Sequence, residues 1–418
     1  MIPIAEHDDL AGMDFSDEPS HSSRLVVRAQ LPFNAEPCSK ELAKHPHTPD
    51  ELMYCRNHGP VPRLDKSKFT VRIDGFVEHQ VEYTLEDIKS KFAKVEVVAA
   101  LECAGNRRKH MVEKTKKSVK GVLWEQGTIC NARWGGARLR DVLLQAGLKL
   151  NDQEPNGVIS CNGHGRAASQ SEGWHVCFAS HVTLCQDDAC YGSSIPLQRV
   201  LDEEGDVLLA YEVSGEPLSP DHGFPFRIVV PGYCGARWVK WVDQITVTNM
   251  ESPNFYQQRD YKILPPNVAN YQQADEESWW AKLPPIQENP LNSAVTFAEV
   301  STADTKVILT TRGYAVSGAS AQVSKVDVSI NDGDSWLPAA ITYQEGKFSW
   351  TLWEAVVDLG GLQNNLVTNG NGSEVVNLGV RHGRVLSRAS NERGETQLLE
   401  MPWNMRGVAF TAVGEAEF

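Results

Sequence analysis

The spacing of apolar positions divides the chain into two textures. In the first, strand-like and helix-like patterns alternate. Phe69 to Ile73 alternates as a strand and turns at Asp74-Gly75. Thr84, with Asp87 three residues on, predicts a helix N-cap, and Leu85, Ile88 and Phe92 fall on one face of that helix. Val95, Val97, Val98, Ala99 and Leu101 form an apolar run short enough for a buried strand. Leu139, Val142, Leu143 and Ala146 mark one side of a second helix, which ends at Gly147. Asp206 to Val213 and Phe226 to Val230 read as two further strands.

The second texture starts near Asn289. Ser293 to Thr296, Lys306 to Thr310, Val323 to Ile330 and Phe348 to Trp353 read as short strands without helices between them. Asn331-Asp332-Gly333 is a strong hairpin signal between two of these. Such a run indicates an all-β sandwich. The expected class is therefore α+β: a mixed α/β domain over 24–288, then an all-β domain over 289–418. The acidic stretch 1–23 (Glu6, Asp8, Asp9, Asp14, Asp17, Glu18) reads as a mobile tail. Leu359 to Glu374, rich in Gly and Asn, reads as a long exposed loop.

Composition narrows the partners. A length of 418 residues suggests two or three domains, and a formal net charge of −14 argues against nucleic-acid and acidic-membrane binding. No apolar run is long enough to span a bilayer. Nine cysteines, an odd number without a CxxC pair, do not resemble a disulfide framework, so a reducing compartment is the simpler reading. Neither end carries a recognisable address; a cytoplasmic protein is expected, with peroxisome and mitochondrion left open.

The candidate chemistry gathers on loops. The run after Leu101 is Glu102-Cys103-Ala104-Gly105-Asn106-Arg107-Arg108. Gly105-Asn106 predicts a turn, because both residues tolerate left-handed backbone. Cys103 then sits where a strand leaves the core, and two nearby cations favour the thiolate that binds a soft metal. The same residues also read as an inert buried cysteine beside surface arginines. Arg56-Asn57-His58 lies in a loop stiffened by Pro60 and Pro62, which presents three polar side chains in a fixed geometry. Pro231-Gly232 and Gly235-Ala236 frame Arg237 and Lys240, a plausible cradle for phosphate. Trp124, in Gly-Val-Leu-Trp, reads on its own as core filler.

Six motifs in one order then carry a resemblance. They are Arg56-Asn57-His58, Cys103 to Arg108, Ala132 to Leu139, Asp221 to Pro225, Gly235 to Trp241, and Trp403-Asn404-Met405-Arg406-Gly407. From about Leu52 to Val408 the chain resembles the sulfite oxidase family of molybdopterin enzymes, which includes the molybdenum domain of eukaryotic nitrate reductases. The resemblance implies a molybdopterin-binding α/β domain followed by an immunoglobulin-like domain that forms a homodimer. It implies that Cys103 is the protein's ligand to molybdenum. Arg56, Asn57, His58, His222, Arg227, Lys240 and the Arg237 loop would hold the pterin and its phosphate.

By the same resemblance Arg56, Arg108, Trp124, Tyr261 and Arg406 line the substrate pocket. The implied reaction is oxidation of sulfite to sulfate by oxygen-atom transfer from a molybdenum(VI) oxo group. Arginine suits these compact oxyanions, since its planar fork of donors stays charged. Nitrate reduction is the alternative. The nitrate branch carries Asp-Asn where this chain has Asp260-Tyr261, and methionine where it has Arg406. Nitrate-like features, Glu251 to Tyr256 and Asp275 to Trp280, fall in connecting segments away from these positions. Ala179 to Val182 and Ser317 to Ala321 depart from the family pattern. No His-Pro-Gly-Gly haem motif occurs, so no haem is expected, and the electron acceptor stays open, with oxygen as one candidate.

Overall fold

The computed structural model describes residues 10–149, 173–303, 306–361, 366–368, 374–376 and 383–418. An antiparallel pair, β1 (Leu25–Ala29) and β2 (Asn34–Pro37), precedes the short helix α1 (Ser39–Leu42). The hairpin β3 (Thr70–Gly75) and β4 (Val81–Thr84) leads into α2 (Leu85–Lys91). The predicted cap of α2 is present. Asp87 N–H donates to Thr84 Oγ1 at 3.1 Å, and Thr84 N–H donates to Asp87 Oδ2 at 3.1 Å. This exchange satisfies donors that a helix start otherwise leaves over.

β5 (Lys94–Glu102), α3 (Arg108–Thr115) and β6 (Ile129–Arg138) come next, with β5 and β6 paired antiparallel from Lys94↔Ala137 to Glu102↔Ile129. The second predicted helix is α4 (Leu139–Gln145), followed by Gly147 at φ +76°. Then follow β7 (His175–Ser180), β8 (Tyr191–Pro196), α5 (Leu197–Leu201), β9 (Leu208–Val213), β10 (Glu216–Pro217), β11 (Arg227–Val229) and β12 (Gln244–Thr248). Two sheets result, ordered β10-β9-β6-β5, with β11 also on β9, and β4-β3-β12-β7-β8. Ile73, Val97, Trp134, Phe178, Leu209 and Ile245 from both sheets share one core. Each such side chain contributes about 1.5–3 kcal/mol by leaving water, which makes this core the rigid base of the loops above it.

Three short helices, α6 (Phe255–Gln258), α7 (Tyr271–Glu276) and α8 (Trp279–Lys282), link to the second texture. That part contains β13 (Asn292–Ala303), β14 (Lys306–Val316), β15 (Val323–Ser329), β16 (Leu337–Pro338), β17 (Ala340–Tyr343), β18 (Thr351–Gly361), β19 (Leu366–Thr368), β20 (Glu374–Val376), β21 (Arg384–Asn391) and β22 (Gly414–Glu417). Four-stranded sheets β13-β14-β18-β17 and β16-β15-β21-β22 face each other across Val295, Leu309, Trp353, Val326, Val328 and Val385. This is the sandwich that the strand texture predicts.

Three expectations need adjustment. Asp332 and Gly333 do adopt the left-handed backbone of a tight turn, at φ +57° and +92°. The strand it returns, however, is the two-residue β16, while Thr351–Gly361 pairs with β14 in the other sheet. The expected loop Leu359 to Glu374 starts inside β18 and contains β19; its remainder lies mostly outside the described residues. Of the expected mobile tail, 1–9 lie outside the described residues, whereas 10–23 lie against the first domain. Glu18 accepts the Val61 N–H at 2.9 Å. His21 stacks on Phe33 at 3.6 Å, with Glu18 Oε2 at 2.8 Å and Asp221 carboxylate oxygens at 3.0 Å. Asp17, paired with Arg63 at 3.1 Å, and Glu18 meet partners outside the segment, so their charge docks it.

The two textures are interlocked. Ala100 N–H donates to Phe348 O at 2.8 Å, and the Phe348 ring enters the first core. Trp403, Met405 and Phe410, near the C-terminus, pack with Met111, Leu264 and Trp280.

Candidate active site

The strand β5 ends where the ladder with β6 ends, and the chain turns there. Cys103 N–H donates to Thr128 O at 2.9 Å, and Asn106 N–H returns to Cys103 O at 2.9 Å. The left-handed residue of this turn is Arg107, at φ +61°, in place of the expected Gly105-Asn106. Gly105 is required for another reason: a Cβ there would stand 2.6 Å from Arg108 Nη2. The backbone flip at Arg107 also separates the two arginines. Arg107 is fully buried and donates to Asn292 Oδ1, Ser293 O, Ala412 O and Val413 O at 2.7–2.9 Å. It therefore rivets the second domain and offers Cys103 no charge.

Cys103 opens into a cavity of about 770 Å³ counted with the solvent at its mouth, lined also by Arg56, Asn57, His58, His222, Arg227, Lys240 and Tyr261. The loop Arg56-Asn57-His58 enters it as predicted. The expectation of a ready thiolate reverses: burial pushes the Cys103 thiol up, and Arg56 and Arg108 draw it back only in part. An incoming metal would have to displace the proton.

One relay was not legible in the sequence. Arg56 Nη2 lies 3.2 Å from His58 Nδ1, and His58 Nε2 lies 3.0 Å from Tyr261 Oη. Burial, reinforced by Arg56 and Arg406, holds His58 well below the usual histidine range, so it is neutral. Arginine only donates, which makes Nδ1 the acceptor and places the ring proton on Nε2. Tyr261 Oη then accepts from His58, and its own proton is free for a ligand in the cavity. Burial first, then Asp260, raises the Tyr261 phenol, so it stays a donor.

Around the far wall the cationic groups are held by the chain itself. Lys240 Nζ donates to Asn57 Oδ1 and, at 2.8 Å, to Asp221 O. Burial brings Lys240 down to about 8. Arg227 lies over the Trp134 and Trp238 rings, at 4.8 and 5.7 Å. It donates to His222 O and Trp238 O, and burial lowers it to about 10. His222 Nδ1 lies 2.7 Å from Ser219 Oγ. His222 Nε2 and Arg227 Nε are buried with no partner among the described residues.

Four candidates stand outside the lining. Arg108 lies in a slot between Gly105, Gly121 and Gly407, donating to Arg406 O and Gly407 O at 3.1 Å and to Val122 O at 2.7 Å. Burial, with Arg406 nearby, lowers it to about 10. Arg406 is paired with the Asp260 carboxylate and bonded to Asp260 O at 3.2 Å. Burial, the largest single influence, opposes its charge, but Asp260 together with Tyr271, Tyr261 and Asp187 holds it above the usual arginine value. Trp124 is fully buried in the main core, and its Nε1 has no partner among the described residues. Arg237 differs from the expected phosphate cradle. It is fully buried, donates to Ile286 O and Ser193 Oγ at 2.8 Å and to Gln257, and leaves the cavity to Lys240. All eight cysteines among the described residues are free.

The chain matches two family models. Residues 58–256 match the oxidoreductase molybdopterin binding domain, and 284–413 the Mo-co oxidoreductase dimerisation domain. A sulfite oxidase of Gallus gallus is 39% identical over 95% of this chain and 78% of that protein. A sulfite oxidase of Arabidopsis thaliana is 36% identical over 96% of this chain and 95% of that protein. The solved sulfane dehydrogenase SoxCD from Paracoccus pantotrophus superposes with a TM-score of 0.68 over 97% of this chain and 87% of its own, at 22% identity, which speaks to the fold. A buried cysteine opening into a cation-lined hollow, the sandwich behind it, and relatives matched over 78% and 95% of their length agree: the chain belongs to the sulfite oxidase family of molybdopterin oxidoreductases.

Proposed function

We propose that the protein oxidises sulfite to sulfate with a molybdopterin cofactor held in the Cys103 cavity. The observation that carries this reading is the convergence on one cavity of the Cys103 thiol, the Arg56 guanidinium and the Tyr261 phenol relayed from His58. The cavity suits the cofactor on its own terms. His222 Nε2 and Arg227 Nε are orphaned donors or acceptors in a cationic wall, and a buried polar atom without a partner is costly unless a ligand meets it. His222, Arg227, Lys240 and Asn57 would hold the pterin and its phosphate, and Cys103 would ligate molybdenum. When bound, the cofactor supplies the two-electron, oxygen-transfer chemistry.

The chain's own residues then have separable tasks. Arg56, with Arg108 and Arg406 behind it, draws in a compact dianion and offsets its charge as it leaves water. Tyr261 donates its phenol proton to an oxygen of the bound anion, while neutral His58 keeps that proton aimed inward. The dimerisation domain joins two copies into a homodimer, and molecular oxygen is one acceptor to test. No helix among the described residues is long and apolar enough to cross a membrane.

The test is a steady-state assay of sulfite with oxygen, cytochrome c and ferricyanide side by side, against nitrate with a reduced dye. Sulfite turnover is expected, and turnover of nitrate alone would overturn the reading. Cys103→Ser protein should retain pterin, measured after release and oxidation, and lose sulfite turnover. Normal activity in that variant would remove Cys103 from the mechanism.

A further inference from the structure

Asp275 to Trp280 belongs, by sequence, to a connecting segment apart from the pocket; the structure brings Tyr271, four residues before it, onto Arg406. Tyr271, the first residue of α7, accepts from Arg406 Nη1 at 2.8 Å, and the guanidinium carbon lies 5.9 Å from the Tyr271 ring centre. Among the described residues the other bonds of Arg406 go to one residue, Asp260: Nε to its carbonyl oxygen and Nη2 to its carboxylate. A guanidinium carries five N–H groups. Among the described residues these three bonds leave one on Nη1 and one on Nη2, a pair suited to two oxygens of one anion.

Asp260 alone grips one edge of that plane and lets it tilt. Tyr271 adds a third point on the other terminal nitrogen, which sets the plane. Tyr271 is itself braced. Its ring leans on Trp280 at 5.6 Å; Trp280 Nε1 donates to Asp275 Oδ1 at 3.0 Å, and Lys262 Nζ donates to Trp280 O at 2.6 Å. Asn270 caps α7 by accepting the Gln273 N–H at 2.9 Å.

We propose that Tyr271 is a positioning residue for oxyanion binding, fixing the Arg406 plane so that its two remaining N–H groups meet the anion, and that the α7–α8 segment thereby tunes anion affinity. The proposal rests on reading the cavity as an oxyanion site that extends to Arg406, whose charge acts on the lining residues His58 and Tyr261. Holding an anion equally in the ground and transition states changes KM and leaves kcat alone.

The experiment compares wild-type and Tyr271→Phe holoenzyme, because phenylalanine keeps the ring on Trp280 and removes only the acceptor. Calorimetric titration with inorganic sulfate should give a dissociation constant about five- to twentyfold higher in the variant, the effect of losing one bond to a charged donor. The sulfite KM should rise in parallel, with kcat within about twofold of wild type. Tyr271→His, which restores an acceptor, should recover part of the affinity. Unchanged sulfate binding in Tyr271→Phe overturns the proposal, as does a fall in kcat with sulfite KM and sulfate affinity both unchanged. Should wild-type enzyme prove inactive on sulfite while the variant still binds sulfate more weakly, the positioning role stands and only the activity reading falls.

Discussion

At the scale of single residues, neighbours of the same type have opposite fates. Arg107 and Arg108 are adjacent and identical, and nothing local to the sequence tells them apart. A single left-handed φ at Arg107 sends one into the second domain and the other toward Arg406. His110 shares the consequence. Its Nδ1 accepts from Arg107 Nε at 3.4 Å, and burial, aided by the Arg107 charge, lowers it to about 3. The unfolded chain takes up this proton below about 6.5, while the folded chain refuses it until about 3. Stability is therefore full above the unfolded value and is lost as pH falls through that window. At pH 5 the loss is on the order of 2 kcal/mol. In His110→Asn, which keeps an acceptor for Arg107 but does not titrate, the difference in denaturant stability between pH 7.5 and pH 5 should shrink by about that amount.

At the scale of elements, what was legible follows distance along the chain. The α2 cap, the α4 stop at Gly147 and the strand of Val95 to Leu101 are written in residues a few positions apart, and each is present. Cys103 and the Arg56 loop were legible as chemistry because their types and neighbours are unusual. The relay from His58 to Tyr261 spans 203 positions, and Tyr271 meets Arg406 across 135. No spacing rule reaches that far; only the packed sheets bring those loops together. Glycines show the same division. Gly407, inside the recognisable Trp403 to Gly407 motif, has φ +57°, and a Cβ there would stand 2.7 Å from Arg108 Cγ. Gly407→Ala should push Arg108 off Arg406 O and raise the sulfite KM about tenfold, with a thermal midpoint lower by a few degrees, roughly the effect of 1–2 kcal/mol of strain. Steady-state kinetics and a melting curve check both.

At the scale of the whole molecule, a chain of net charge −14 buries several of its arginines. Arg107, Arg108, Arg227, Arg237 and Arg406 are all buried, and each is bonded to carbonyl or side-chain oxygens. The negative exterior suits solubility. Arg107 is the test of how tightly the two domains depend on each other. Arg107→Met removes the donor shared by four buried acceptors across the domain junction, at Asn292, Ser293, Ala412 and Val413, of which Ala412 O keeps a bond from Gln397 Nε2 at 3.3 Å. The expected loss is about 3–5 kcal/mol by chemical denaturation, as for breaking other buried charged networks.

Phe348 enlarges that dependence. Its ring comes from the β-sandwich yet completes the apolar interior of the other half, and its carbonyl receives a hydrogen bond from Ala100, three residues before the metal-ligand candidate. A gene fragment that stopped at residue 288 would leave a hole where that ring belongs and an unsatisfied amide beside it. The catalytic half is thus not a portable module: it can be inherited, shuffled or expressed only together with the sandwich that plugs it.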